Sequence, residues 1–166
     1  MKAKLIVEGR EFPTEIQDPE LQKLLAPKKT GYERGKTNEK FYYVLPTSSI
    51  EDTCEEYVNV DDVLYKTCNY YSDKTVAENN ARADKLMRQL RRFAVEHRRN
   101  NSMWENDNEK YYIYYSHNQH DLSWCFGNVT QVFGTIYFDS EAAVALAIKT
   151  FRDELIWYFT EYKDSL

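Results

Sequence analysis

Two stretches of this chain are worded alike. Tyr70-Tyr71-Ser72-Asp73-Lys74 and Tyr137-Phe138-Asp139-Ser140-Glu141 each read as two aromatics closing a strand, two residues able to cap a helix, and a first helical residue; they stand 67 positions apart. Phe41-Tyr42-Tyr43-Val44 and Tyr111-Tyr112-Ile113-Tyr114 precede them at a comparable spacing, so the chain reads as two ββ(β)α units. One small sheet and one helix bury too little to stand alone, and the stable solution packs both units around a common core. The expected fold class is therefore α+β, a single domain over 1–166. It divides into an N-terminal hairpin and short helix (1–38), a first unit (39–99) and a second unit (109–162).

Local signals fill in that outline. Residues 4–7 and 11–16 flank a Glu8-Gly9-Arg10 turn and predict a hairpin, and Asp18-Pro19-Glu20 reads as N-cap and first helical turn, with Leu21, Leu24 and Leu25 as its apolar stripe. Pro46-Thr47-Ser48-Ser49 is turn chemistry leading to an acid-rich strand around 50–58, and a third extended stretch is expected over 64–71. Ser72 and Asp73 then cap a long helix running to about Arg99, with Val76, Ala83, Leu86, Met87, Leu90, Phe93, Ala94 and His97 recurring at steps of three and four. In the second unit, strands are expected over 110–115, 122–126 and 135–138. Asp139 and Ser140 cap a helix whose apolar face includes Val144, Ala147, Ile148, Phe151, Leu155, Tyr158, Phe159 and Tyr162.

At 166 residues with 42% hydrophobic and 30% charged side chains, the chain is long enough to fold without a disulfide or metal staple. It has no apolar run near the roughly 20 residues of a bilayer span, and its first residues lack a signal peptide's apolar stretch, so a cytoplasmic protein is expected. Cys54, Cys68 and Cys125 are odd in number and have no paired spacing, which predicts reduced, mostly buried thiols. There is no nucleophile elbow, P-loop or dinucleotide glycine motif, and only five glycines. Neither an enzyme nor a cofactor is expected. His117, His120 and Asp121 are metal-ligating types, but they fall on a predicted turn that fixes no common ligand face, so no metal is expected there.

Charge is segregated. Residues 41–72 sum to −5 and residues 73–99 to +4 within a total of −5. The basic helix carries Arg82, Lys85, Arg88, Arg91, Arg92, Arg98 and Arg99, interrupted by Glu78, Asp84 and Glu96. In an acidic protein such a ridge more readily faces carboxylates than nucleic acid, and direct nucleic-acid binding is not expected. Between Ile50 and Tyr65 lie Glu51, Asp52, Glu55, Glu56, Asp61 and Asp62, with no Lys or Arg among them. Two readings fit: a charged edge strand that discourages edge-to-edge pairing, or an array spaced like phosphates that enters a basic groove. The 14 tyrosines likewise suit either sheet packing or an exposed contact surface.

The junctions over 69–77 and 136–148, with Trp104 and the tyrosine strand between them, resemble small accessory proteins of Gram-positive prophages and mobile elements. The resemblance covers about the last 100 residues, with Cys68 and Tyr71 departing from the usual wording of the first junction. Within that group the small, acidic, tyrosine-rich chain is most similar to anti-CRISPR inhibitors of RNA-guided nucleases. The resemblance implies stoichiometric binding to a protein partner, with a CRISPR nuclease as the expected class and the host cytoplasm as the setting. Glu51, Asp52, Glu55, Glu56, Asp61 and Asp62 would make charge contacts with arginines, and Tyr57 would anchor them. Two other classes are compatible with the residues: an oligomeric phage adaptor that forms a homodimer, and a sponge for a nucleotide signal using Arg91 and Arg92.

Overall fold

At both junctions the expected helix is capped, by Asp73 in the first and by Ser140 in the second, although the aromatics before it close no strand. In the computed structural model, which describes residues 2–7, 10–25, 29–98, 108–127 and 130–162, Asp73 accepts hydrogen bonds from the amides of Thr75 and Val76. Ser140 accepts one from Ala143. Each caps the helix that follows it, and a cap of this kind contributes about 1 kcal/mol.

The elements are β1 (Lys2–Val7), β2 (Arg10–Glu15), α1 (Pro19–Leu25), β3 (Lys40–Val44), β4 (Ile50–Cys54), α2 (Asn59–Lys66) and α3 (Lys74–Glu96). They continue with β5 (Lys110–Ser116), β6 (Asp121–Gly127), α4 (Glu141–Thr150), α5 (Arg152–Trp157) and a π-helical turn (Tyr158–Tyr162). The strands form three antiparallel hairpins, β1–β2, β3–β4 and β5–β6. This is an α+β fold, and no helix among the described residues is long and apolar enough to cross a membrane.

The two units correspond through their bridges. Tyr42 of β3 pairs with Tyr71, and Tyr111 of β5 pairs with Phe138, each as an isolated antiparallel bridge ahead of a capped helix. The third strand expected in each unit therefore shrinks to one bridge. Over 64–71 the reason is that residues 59–66 are helical: Asp61 reaches back to accept from the Val58 amide, and acids in the first turn suit the positive end of a helix. Asn69 completes the attachment to β3, accepting from the Val44 amide at 2.8 Å and donating to the Val44 carbonyl at 2.9 Å. The acid-rich strand also ends early, at Cys54, because the chain turns through Tyr57 at a φ of 56°.

α3 joins the units. Its Leu86, Leu90 and Ala94 pack with Leu122, Phe138, Val144, Ala147 and Leu155 in one buried cluster. Ala77 and Ala81 are buried nearer its start, on the side of β3, where Phe41 stacks on Tyr70 at 4.0 Å. Gly31 lies over the start of α3 at a φ of +86°, where an added Cβ would come 2.6 Å from Val76 Cγ2. Its carbonyl accepts from the Ser72 amide, tying residues 29–36 to the first junction.

The helix expected after Ser140 is interrupted at Phe151, with no glycine or proline to cause it. Phe151 instead packs edge-on against Phe93 of α3, and Arg152 is drawn to Asp121 of β6 at 2.7 Å. Arg99 and Trp104 lie outside the described residues. The three thiols are exposed, against expectation: Cys54 ends a hairpin strand, Cys68 sits in a turn at a φ of 57°, and Cys125 faces outward on β6.

Candidate protein-binding surface

The six carboxylates between Ile50 and Tyr65 do not form a common outward array. Glu55 is fully buried, and its two oxygens receive Nε and an Nη of Arg34, each at 3.0 Å, while the Tyr57 amide donates to it at 2.8 Å. The Arg34 contact holds the Glu55 carboxyl below its ordinary range despite burial. Asp62 takes the other Nη of Arg34 at 2.7 Å, and these two carboxylates push the guanidinium further up from its ordinary value. Asp61 is buried and accepts from the amides of Glu56 and Val58. Asp52 is paired with Lys40 at 2.9 Å. Among the described residues Glu51 and Glu56 form no ion pair and are exposed.

Arg34 is thus the centre that the acidic segment wraps. Its guanidinium also lies 4.5 Å from the centre of the Tyr57 ring and 5.4 Å from that of Tyr65. The backbone beside it is fixed from both sides: the Gly35 amide donates to the Tyr70 hydroxyl and the Tyr57 hydroxyl donates to the Gly35 carbonyl, both at 2.9 Å. Burial pushes Tyr70 up to about 12, so it remains protonated. One residue earlier, Glu33 accepts from the amides of Thr30 and Gly31 and from Ser72 Oγ, and hydrogen bonds from the Thr30 amide first, then from its own backbone and the Thr30 and Ser72 hydroxyls, hold it at about 2.

Internal pairing of the acids leaves a different surface free. Tyr57 and Val58 enter α2, whose Val60 and Val63 are three residues apart and so share a face. Val60 is 64% exposed, Val63 51%, Val58 46% and Tyr57 53%. This apolar strip lies on the same segment as Glu51 and Glu56, and no cation occurs in the sequence between Lys40 and Lys66. Of the residues expected from the sequence to meet a partner, Glu51, Glu56 and Tyr57 are exposed, Tyr57 with its hydroxyl on Gly35 and its ring against Arg34. Glu55 and Asp61 are enclosed, and Asp52 and Asp62 are engaged by Lys40 and Arg34. Sequence reasoning missed the valines, although their spacing of three between carboxylates is an amphipathic-helix signal. It also missed Arg34, which lies 21 residues from Glu55 with no local pattern linking them.

The basic ridge of α3 is also partly engaged. Arg82 makes a two-point contact with Glu154 and lies 3.9 Å over Trp157, Arg92 pairs with Glu96, and Arg88 donates to Ser48. His117 and His120 lie in the turn between β5 and β6, and among the described residues no group of ligating side chains is arranged to hold a metal ion. Comparison of the chain with protein-family models, curated proteins and solved structures found no match.

Proposed function

We propose that this protein acts by stoichiometric binding, laying the apolar face of α2 and its acidic border into a basic groove of a partner protein. The observation that carries this reading is the exposure of Val60 and Val63 beside Tyr57. Water-facing apolar side chains grouped on one helix mark contact surfaces more often than isolated ones do. Charge complementarity selects the occupant: among the described residues Glu51 and Glu56 form no ion pair, while the nearby Arg34 and Lys40 are held by other carboxylates, so a positively charged channel is the matching surface. Channels of that kind hold nucleic acid in RNA-guided nucleases, which makes a host defence nuclease the proposed target and blocked nucleic-acid engagement the proposed effect.

Because Glu55 and Asp61 are enclosed, fewer carboxylates serve as contacts than the sequence suggested. Glu51 and Glu56 supply complementary charge and the valines supply the anchor. The test is displacement of a labelled target duplex from a guide-loaded nuclease. The wild-type chain is expected to displace it at a one-to-one ratio. Val60→Asp with Val63→Asp, both at exposed positions, is expected to weaken displacement by about 30-fold or more, the scale of a hot-spot loss of 2 kcal/mol. Glu51→Lys with Glu56→Lys should weaken it less and make it less salt-dependent. Equal displacement by the valine variant, or none by the wild type across RNA-guided nucleases, overturns the reading.

A further inference from the structure

The equivalence of the two units exposes one position where they differ in kind. Aligning the Tyr42–Tyr71 and Tyr111–Phe138 bridges sets Phe41 against Lys110 and Ser72 against Asp139. In the first unit the site is closed: Phe41 stacks on Tyr70, and the Ser72 hydroxyl donates to Glu33. In the second, Lys110, only 6% exposed, donates from Nζ to Asp139 Oδ1 at 2.9 Å. Asp139 Oδ2 is buried and is ion-paired with the Nε of Arg98 at 3.7 Å, but among the described residues it accepts no hydrogen bond. Beside this pair lies a cavity of about 520 Å³, whose lining includes Arg91, Val95, Arg98, Lys110, Ile136 and Asp139.

A buried ion pair adds little stability over apolar packing of the same volume, and the first unit makes do with the apolar solution at this place. The charged version therefore calls for another reason. Its chemistry is specific: among the described residues three cations and one carboxylate line it, so the cavity favours an anion, and Asp139 Oδ2, though ion-paired with Arg98, receives no hydrogen bond. Its volume lies within the range of small-molecule sites.

We infer that this cavity binds a small anion carrying a hydrogen-bond donor next to its charge, the anionic group on Arg91 and Arg98 and the donor on Asp139 Oδ2. Hydroxycarboxylates and nucleotides share that chemistry. The site is separate from α2 and does not depend on the function proposed above.

Paired probes in titration calorimetry test it: L-malate against succinate, which lacks only the hydroxyl, and adenosine monophosphate against its 2′,3′-dideoxy analogue, which lacks only the sugar hydroxyls. In at least one pair the donor-bearing anion is expected to bind 10-fold or more tightly than its companion, about the worth of a hydrogen bond to a charged group. The pair that shows the difference identifies the source. Asp139→Asn should abolish that preference: Lys110, a donor only, fixes the amide oxygen at the Oδ1 position and leaves an NH₂ where the acceptor was. Arg91→Ala, at an exposed position, should weaken both members of the pair together. Absence of binding by all four probes at millimolar concentration overturns the proposal. So does binding that Arg91→Ala and Asp139→Asn leave unchanged, or a crystal grown with malate and adenosine monophosphate that holds only water on Asp139 Oδ2.

Discussion

Replacing Glu55 by glutamine tests the central structural correction, that this carboxylate is an internal partner of Arg34 and no outward contact. The amide keeps the volume and one acceptor for the Tyr57 amide, but it removes the charge and turns an NH₂ toward a guanidinium that can only donate. Breaking a buried pair from one side costs about 3–5 kcal/mol. The lower end applies here, because Arg34 retains Asp62 at 2.7 Å and its side chain is 23% exposed. A loss of about 3 kcal/mol corresponds to a fall in Tm of roughly 6–12 °C for a chain of this size. Thermal and urea unfolding followed by tryptophan fluorescence would measure it. The pH dependence carries a sign: the folded-state pKa of Glu55 is depressed, so its contribution is complete above the unfolded carboxylate range and lost as pH falls through the folded value. The gap between wild type and Glu55→Gln should therefore be full at pH 7 and narrow on acidification. A variant within 0.5 kcal/mol of wild type at pH 7, by the usual size of neutral surface changes, or a gap that widens in acid, refutes the reasoning.

The other expectations concern single features. Asp73→Ala should cost about 1 kcal/mol in chemical denaturation while Asp73→Ser costs far less, since serine restores the acceptor for the Thr75 and Val76 amides. Gly31→Ala should destabilise by about 1–3 kcal/mol from the positive φ, with more added by the close approach to Val76 Cγ2; adding Val76→Ala should recover only the share due to Cγ2. A thiol reagent applied to the native protein should titrate Cys54, Cys68 and Cys125 without denaturant, and protection of any of them until unfolding would contradict their placement.

What the amino-acid order determined here is whatever depends on neighbours along the chain. The caps at Asp18, Asp73 and Ser140, the turn at His117 to His120 and the three hairpins each rest on a few adjacent residues whose backbone needs are met locally, and the 67-residue repetition of one such junction marked the two units. Residues 55–58 and 64–66, expected to be extended, are instead a turn and the end of the helix over 59–66. The difference was made by Asp61 closing onto the Val58 amide and by Asn69 occupying the edge of β3. The fate of the carboxylates was decided by tertiary structure alone. A carboxylate presents a charge to solvent only if no cation reaches it first, and whether Arg34 reaches Glu55 depends on how residues 29–39 fold across the β4–α2 turn, a contact no local pattern encodes. For the same reason the sequence marks Lys110 as a strand start and Asp139, with Ser140, as a helix cap, but only Ser140 caps, and tertiary packing sets Lys110 and Asp139 together beside a cavity.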